Sequence, residues 1–192
     1  MKTFQDVVKF HGHSCPGLAL GYRVAKLVLK ELGKRSTDEE IVAIVENNSC
    51  AVDAVQVMTG CTFGKGNLIF RDYGKQVYTF IRRTSGRSIR VSVEWTPPEE
   101  TEEEKKMWSR YSMGDRTKRV VESVHKRKAG KIAFILNAKD SALLKVRKGR
   151  MKLPGEAEIY RSIKCSSCGE KVMEPRARVK DGRIVCIPCS DK

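Results

Sequence analysis

The sequence lacks any apolar run near the roughly 20 residues that span a bilayer. It also lacks an apolar segment after its first charged residues that would mark a secretory signal peptide. We therefore expect a cytoplasmic protein with no membrane segment. Cytoplasmic thiols stay reduced, so the seven cysteines, an odd number, predict metal ligands and reactive thiols rather than disulfides.

Acidic residues are few relative to basic ones, 23 against 38, and the formal net charge is +15. The basic excess is spread over the whole chain and forms no basic tail, so a nucleic acid, an acidic protein partner or simple solubility could each account for it. A hydrophobic content of 40% and a length of 192 residues predict a folded domain with a small appendage.

Histidine is scarce, with three in the chain, yet His11 and His13 lie together just before Cys15 and Pro16. Proline favours the first position of a helix, so Cys15 is expected at a helix N-terminus, where negative charge is favoured. Two imidazoles beside such a thiol predict either a transition-metal site or an activated nucleophile. The alternative is that both histidines are ordinary loop residues and Cys15 is a small buried residue.

Hydrophobic periodicity and turn residues predict an α+β fold, in which a mixed sheet is flanked by helices in the order helix, strand, helix, three strands. Helices are predicted at 16–32 and 51–60, strands at 41–45, 67–71, 76–82 and 87–94, one or two surface helices in 99–129, and a further strand in 143–153. The 51–60 helix carries a polar stripe of Asp53, Gln56 and Thr59, which lines a cleft, a subunit contact or bulk water.

The C-terminal segment contains two C-x-x-C pairs that are separated by seventeen residues. Four thiolates at this spacing predict a closed tetrahedral structural zinc site. The four ligands are Cys165, Cys168, Cys186 and Cys189. Asp181-Gly182 between the pairs predicts a hairpin turn. Since so short a segment has little core, zinc is expected to supply most of its folding energy.

Two long motifs make the chain resemble the FmdE family of formylmethanofuran dehydrogenase proteins. They are Phe10-His-Gly-His-Ser-Cys-Pro-Gly17 with Gly21-Tyr-Arg23, and Asn48-Ser-Cys-Ala-Val-Asp53 running through Gln56 and Thr59-Gly-Cys61 to Asn67. The resemblance covers residues 1–155 and implies an α+β core, to which some members add a treble-clef or ribbon-type zinc finger. We therefore expect a core domain at 1–157 and a zinc-finger domain at 158–192.

The resemblance also implies a metal-binding active site that is built from the motif residues. By position these are His11, His13, Cys15, Cys50 and Cys61, with Asp53 nearby. The family is named for its association with a molybdenum or tungsten enzyme that reduces carbon dioxide.

Helix geometry narrows this set of ligands. A continuous 51–60 helix separates Cys50 from Cys61 by about 16 Å, whereas two sulfurs on one ion lie within about 4 Å. We therefore predict His13, Cys15 and Cys50 as ligands of zinc or another transition metal. Cys61 is then a free thiol or part of a site shared across a dimer. His11 or Asp53 is assigned to proton transfer or to support of the ligands.

Three functions follow from these residues. The first is an accessory or metal-handling protein, expected as a homodimer, which could belong to a larger oxidoreductase complex. The second is a metal-dependent enzyme that acts on a one-carbon or acyl-type substrate. The third is a basic zinc-finger protein that binds nucleic acid.

Overall fold

The computed structural model describes residues 1–156 and 158–192, in two compact units, Met1–Glu156 and a second unit that ends at Lys192. The helices of the first unit are α1 (Phe4–His11), α2 (Pro16–Leu32), α3 (Ala51–Thr59), α4 (Glu102–Ser112) and α5 (Lys118–Asn137). Its strands are β1 (Ile41–Val45), β2 (Leu68–Phe70), β3 (Val77–Arg82), β4 (Arg87–Val93) and β5 (Leu144–Arg150). The predicted α+β class with a mixed sheet is confirmed.

The five strands form one sheet in the order β2-β1-β3-β4-β5. Strand β1 pairs in parallel with β2 and antiparallel with β3, and the remaining pairs are antiparallel. Every residue of β1 is buried. Its continuous apolar run predicts this for a strand that is covered on both faces of the sheet. Since β1 ends immediately before the loop that carries Cys50, an inner strand of the sheet positions this cysteine.

Helix α1 was not predicted from the sequence. Thr3 caps its N-terminus through a reciprocal capping box with Asp6, and Gly12 ends it in the left-handed conformation at φ 92°. The Thr3-x-x-Asp6 spacing was the local signal for this helix. Its last residue is His11, which is therefore held by a helix rather than by a loop.

Helices α2 and α3 cross at very short range at Gly21. A Cβ atom on Gly21 would lie 2.3 Å from the carbonyl oxygen of Ala51, so only glycine allows this approach. The contact sets the first turn of α3 against the N-terminal half of α2. As a result, the starts of the two helices, at Cys15 and Cys50, lie side by side.

Helix α5 is longer than the sequence indicated, because it includes the apolar run at 132–136 that periodicity did not classify. Ile135 is fully buried in the core of the first unit. Within the described residues, no helix has both the length and the apolar character needed to cross a membrane.

The second unit consists of two small hairpins and a terminal helical turn. Its elements are β6 (Ser162–Lys164), β7 (Lys171–Met173), β8 (Ala177–Lys180), β9 (Arg183–Cys186) and α6 (Ile187–Ser190). Strands β8 and β9 are joined at Asp181 and Gly182, which both have positive φ. The predicted Asp-Gly hairpin turn is therefore confirmed.

Candidate metal centres

Two cysteines meet where α2 and α3 begin. Cys15 is the N-cap of α2, and its Sγ accepts a hydrogen bond from the Leu18 N–H at 3.4 Å. Cys50 is the N-cap of α3. A helix N-terminus favours negative charge, and Cys15 uses this position through the Leu18 N–H, whereas Cys50 makes no side-chain capping hydrogen bond.

His11 completes a group of three donors at this point. One ligand atom each from His11, Cys15 and Cys50 lies within 4.8 Å of the other two. His11 Nε2 is buried and has no hydrogen-bond partner among the described residues. A buried, unpartnered imidazole nitrogen beside two thiols fits a metal ion, since nitrogen and sulfur are the donors that zinc and related transition metals take.

Asp53 engages one of the two ring nitrogens of His11. Its Oδ2 lies 2.6 Å from His11 Nδ1. Because a carboxylate only accepts hydrogen bonds, Nδ1 carries the proton in this contact and the lone pair is left on Nε2. Gln56 Nε2 donates to the other carboxylate oxygen at 3.4 Å. Histidine ligands of metals are commonly oriented by a carboxylate in this way.

The proximity of the two thiols affects their ionisation. Burial raises the pKa of Cys50, and its hydrogen bond with Cys15 raises it further. Two adjacent thiolates repel each other unless a cation lies between them. The donor set therefore suits a bound cation.

The structure does not bring every predicted site residue into this group. His13 is exposed and lies outside it, although its ring centroid is 4.5 Å from that of His11. It is thus His11, not His13, that accompanies Cys15 and Cys50. The choice between them depends on α1, which was absent from the predicted elements.

Cys61 is also separate from the group. It is fully buried, and its Sγ donates to the carbonyl oxygen of Ile41 at 3.2 Å. Burial raises the pKa of its thiol to about 11. Cys61 is therefore a protonated core residue of this chain.

The three polar residues of the α3 stripe do not all lie at the His11 group. Asp53 and Gln56 lie at the His11 group, whereas Thr59 is fully buried and its hydroxyl donates to the Val55 carbonyl oxygen. Thr59 therefore lines no cleft.

Several residues of the two long motifs have structural roles. Buried Arg23 donates to the Ala138 carbonyl oxygen at 2.6 Å and to Asp140 at 2.7 Å, which ties α2 to the end of α5. Asn67 is also buried and bonds the backbone of residues 38 and 41. Gly21 allows the crossing of α2 and α3.

The second unit contains the other group of donors. The sulfur atoms of four cysteines all lie within 4.8 Å of one another, those of Cys165, Cys168, Cys186 and Cys189. Backbone N–H groups of Cys168 and Cys186 lower the pKa of Cys165 to about 6. Hydrogen bonds to sulfur favour the thiolate, which is the form that binds zinc.

Comparison with known families gives a match for each of the two units. Residues 10–145 match the family described as FmdE, molybdenum formylmethanofuran dehydrogenase operon. The chain belongs to the FmdE family. Residues 158–192 match the prokaryotic dksA/traR C4-type zinc finger. Together with the four clustered sulfurs, this match supports a structural zinc site, and the predicted resemblance is confirmed.

Two similar proteins add detail. A probable S-adenosyl-L-methionine-binding protein of Archaeoglobus fulgidus is 33% identical over 195 residues, which covers 95% of this chain and 50% of that protein. The chain thus spans about half the length of this relative. The crystal structure of a tungsten formylmethanofuran dehydrogenase FmdE-like protein from Syntrophus aciditrophicus matches with a TM-score of 0.59 and 21% identity, over 98% of this chain and 92% of that one. The second comparison shows a shared fold.

Proposed function

We propose that this chain is an accessory, metal-handling member of the FmdE family, whose first unit holds a transition-metal ion with His11, Cys15 and Cys50. The observation that carries the proposal is the buried, unpartnered Nε2 of His11 beside two thiols. Three protein donors are the number found in zinc sites that keep a position for an exogenous ligand. A metal ion held there would supply Lewis acidity, or redox chemistry if it were iron.

The surrounding residues have separate roles in this proposal. Asp53 orients His11 and holds the proton on Nδ1. With His11 as a ligand, His13 is the exposed imidazole beside the site, and we assign to it the exchange of protons with a bound molecule. The four-cysteine zinc finger is structural, and we assign to its unit the contact with a partner protein.

The family description refers to a dehydrogenase operon, which favours an accessory role in an oxidoreductase complex over independent turnover. We also propose that the chain forms a homodimer. A stable complex without turnover of its own supports the accessory role, whereas turnover that is lost in Cys15→Ser supports the enzyme.

Metal content per chain tests the proposed centre. We expect two metal ions per wild-type chain by elemental analysis of protein purified without added metal. Cys15→Ser should retain one, because it removes a donor of the first unit and leaves the four finger cysteines intact.

Cys61→Ala is the matched control for this measurement. It should retain two ions, although loss of the buried sulfur should lower the free energy of unfolding by about 1–3 kcal/mol. One ion in the wild type that is unchanged in Cys15→Ser would contradict the centre. Loss of an ion in Cys61→Ala would contradict the assigned ligands.

A second candidate function is the binding of S-adenosyl-L-methionine. It is favoured by the 33% identity with the Archaeoglobus protein over 95% of this chain. Equilibrium dialysis of the wild type with this compound tests it directly. Saturable binding supports the candidate. If no binding is detected, the candidate fails, and the S-adenosyl-L-methionine site of the Archaeoglobus protein belongs to the half that this chain does not span.

A further inference from the structure

A cavity of about 1010 Å³ lies between α5 and the segment at 94–99 that follows β4. Small-molecule sites occupy roughly 300–1,000 Å³, so this cavity has the size of a ligand site. A smaller cavity of about 240 Å³ shares four of its wall residues and includes Pro16, which directly follows Cys15. The two cavities therefore adjoin each other, and the smaller one reaches the residue next to Cys15.

One wall of the larger cavity is aromatic. The rings of Trp95 and Phe134 are stacked with centroids 6.4 Å apart and an interplanar angle of 27°, and both residues line the cavity. Phe134 is 53% exposed although it is a large apolar side chain. An aromatic surface of this kind suits a planar ring, which gains both burial and stacking.

Gly130 leaves space in the wall on α5. Ser123, Arg127, Gly130 and Phe134 recur at helical spacing along the face of α5 that lines the cavity. A Cβ atom on Gly130 would meet nothing within 4 Å. Glycine weakens a helix interior, and no close packing requires a glycine at this position. The absence of a side chain at Gly130 leaves this part of the cavity open.

The charges that line the cavity are balanced. The acidic residues are Glu94, Glu99 and Glu104, and the basic residues are Lys126, Arg127 and Lys131. Within this lining, Arg127 is paired with Glu104 at 3.4 Å. Arg127 and Lys131 are also paired with Glu100, so the cavity has no basic excess and does not suit a polyphosphate. Glu104 is already engaged by Arg127 and the Thr101 N–H, so the carboxylates of Glu94 and Glu99 are the ones that suit a ligand with hydroxyl or amino donors.

We propose that this cavity binds a nucleoside-type ligand without phosphate groups, with its planar base against Trp95 and Phe134 and its hydroxyl or amino groups on the carboxylates. The inference deepens the second candidate function, on which its ligand class rests, because it locates a nucleoside site within this chain. It does not depend on the metal centre being filled.

Tryptophan fluorescence can report on the site because the chain has two tryptophans. In Trp108→Phe, Trp95 is the only tryptophan, and we expect saturable quenching when adenosine is added. Gly130→Leu in the same background places a branched side chain inside the cavity, beside Phe134, and should weaken adenosine binding at least tenfold. Ala129→Leu is the matched control, since Ala129 is exposed on the same helix and does not line the cavity. This control should bind as its parent does.

The inference is overturned by the absence of saturable quenching, or by equal affinity in Gly130→Leu and Ala129→Leu. Tighter binding of ATP than of adenosine would overturn the assignment of a ligand without phosphate groups. Circular dichroism of each variant establishes that it is folded. Metal content and S-adenosyl-L-methionine dialysis of the wild type are measured on the same preparation. The first tests the metal centre and the second tests the second candidate function, so a failure of the cavity proposal is distinguished from a failure of either one.

Discussion

At the scale of single residues, the contact between Asp53 and His11 controls the chemistry of the proposed centre. The carboxylate engages Nδ1 at 2.6 Å, which leaves the buried, unpartnered Nε2 as the nitrogen available to a metal ion beside Cys15 and Cys50. We predict that Asp53→Asn weakens metal binding about 10–100-fold, measured by competition with a chelator. Cobalt bound in the first unit should keep its thiolate-to-metal absorption, measured in the Cys168→Ser background so that the finger contributes less, because both sulfurs remain.

Gln56→Ala is the control for this variant. Gln56 contacts Asp53 by one long hydrogen bond of 3.4 Å, so its removal should change the metal affinity much less. Equal affinity in Asp53→Asn and the wild type would show that His11 is not oriented by Asp53.

At the scale of elements, the crossing of α2 and α3 creates the site, since it places two helix N-termini together. We predict that Gly21→Ala lowers the free energy of unfolding by about 1–3 kcal/mol, because the added methyl group overlaps Ala51 and must push the helices apart. Urea unfolding measures this change, and the variant should also retain less metal in the first unit.

Gly17→Ala is the matched control on the same helix. A Cβ atom there would lie 3.5 Å from Cys50 Cβ, which is an ordinary contact. Alanine should therefore be neutral, or stabilise the helix by up to about 1 kcal/mol. If both alanine variants are equally stable, the close crossing does not constrain the helices as we describe.

At the scale of the whole molecule, the two units differ in what stabilises them. The buried cluster of the second unit consists of Cys165, Val185 and Cys186, so two of its three members are zinc ligands in our assignment. We predict that a strong chelator makes residues 158–192 sensitive to protease, because little apolar burial remains without zinc. The first unit should stay resistant, since its core joins four of its helices to the sheet.

Cys168→Ser provides the control without a chelator. It should expose the second unit to cleavage and leave the metal of the first unit in place. Mass spectrometry of the fragments identifies the cleaved unit. A second unit that resists protease after complete removal of metal would contradict zinc-dependent folding.

Local sequence signals predicted much of this protein. The C-x-x-C pairs predicted the cluster of four cysteines, and the Asp-Gly turn predicted the hairpin of β8 and β9. Pro16 predicted the start of α2. The periodic segments predicted the order of helices and strands from α2 to β4, although not α1. In each of these cases the interacting groups are close in sequence, so spacing alone carries the information.

The sequence by itself thus determined the family, the α+β class and the four clustered cysteines. The tertiary structure decided that His11 rather than His13 joins Cys15 and Cys50, because that choice depends on α1, on the approach of α2 to α3 at Gly21, and on Asp53, 42 residues from its partner. It also decided that Cys61 is a core residue and that α5 forms a cavity with the 94–99 segment. These features come from contacts between distant parts of the chain, which no local pattern encodes.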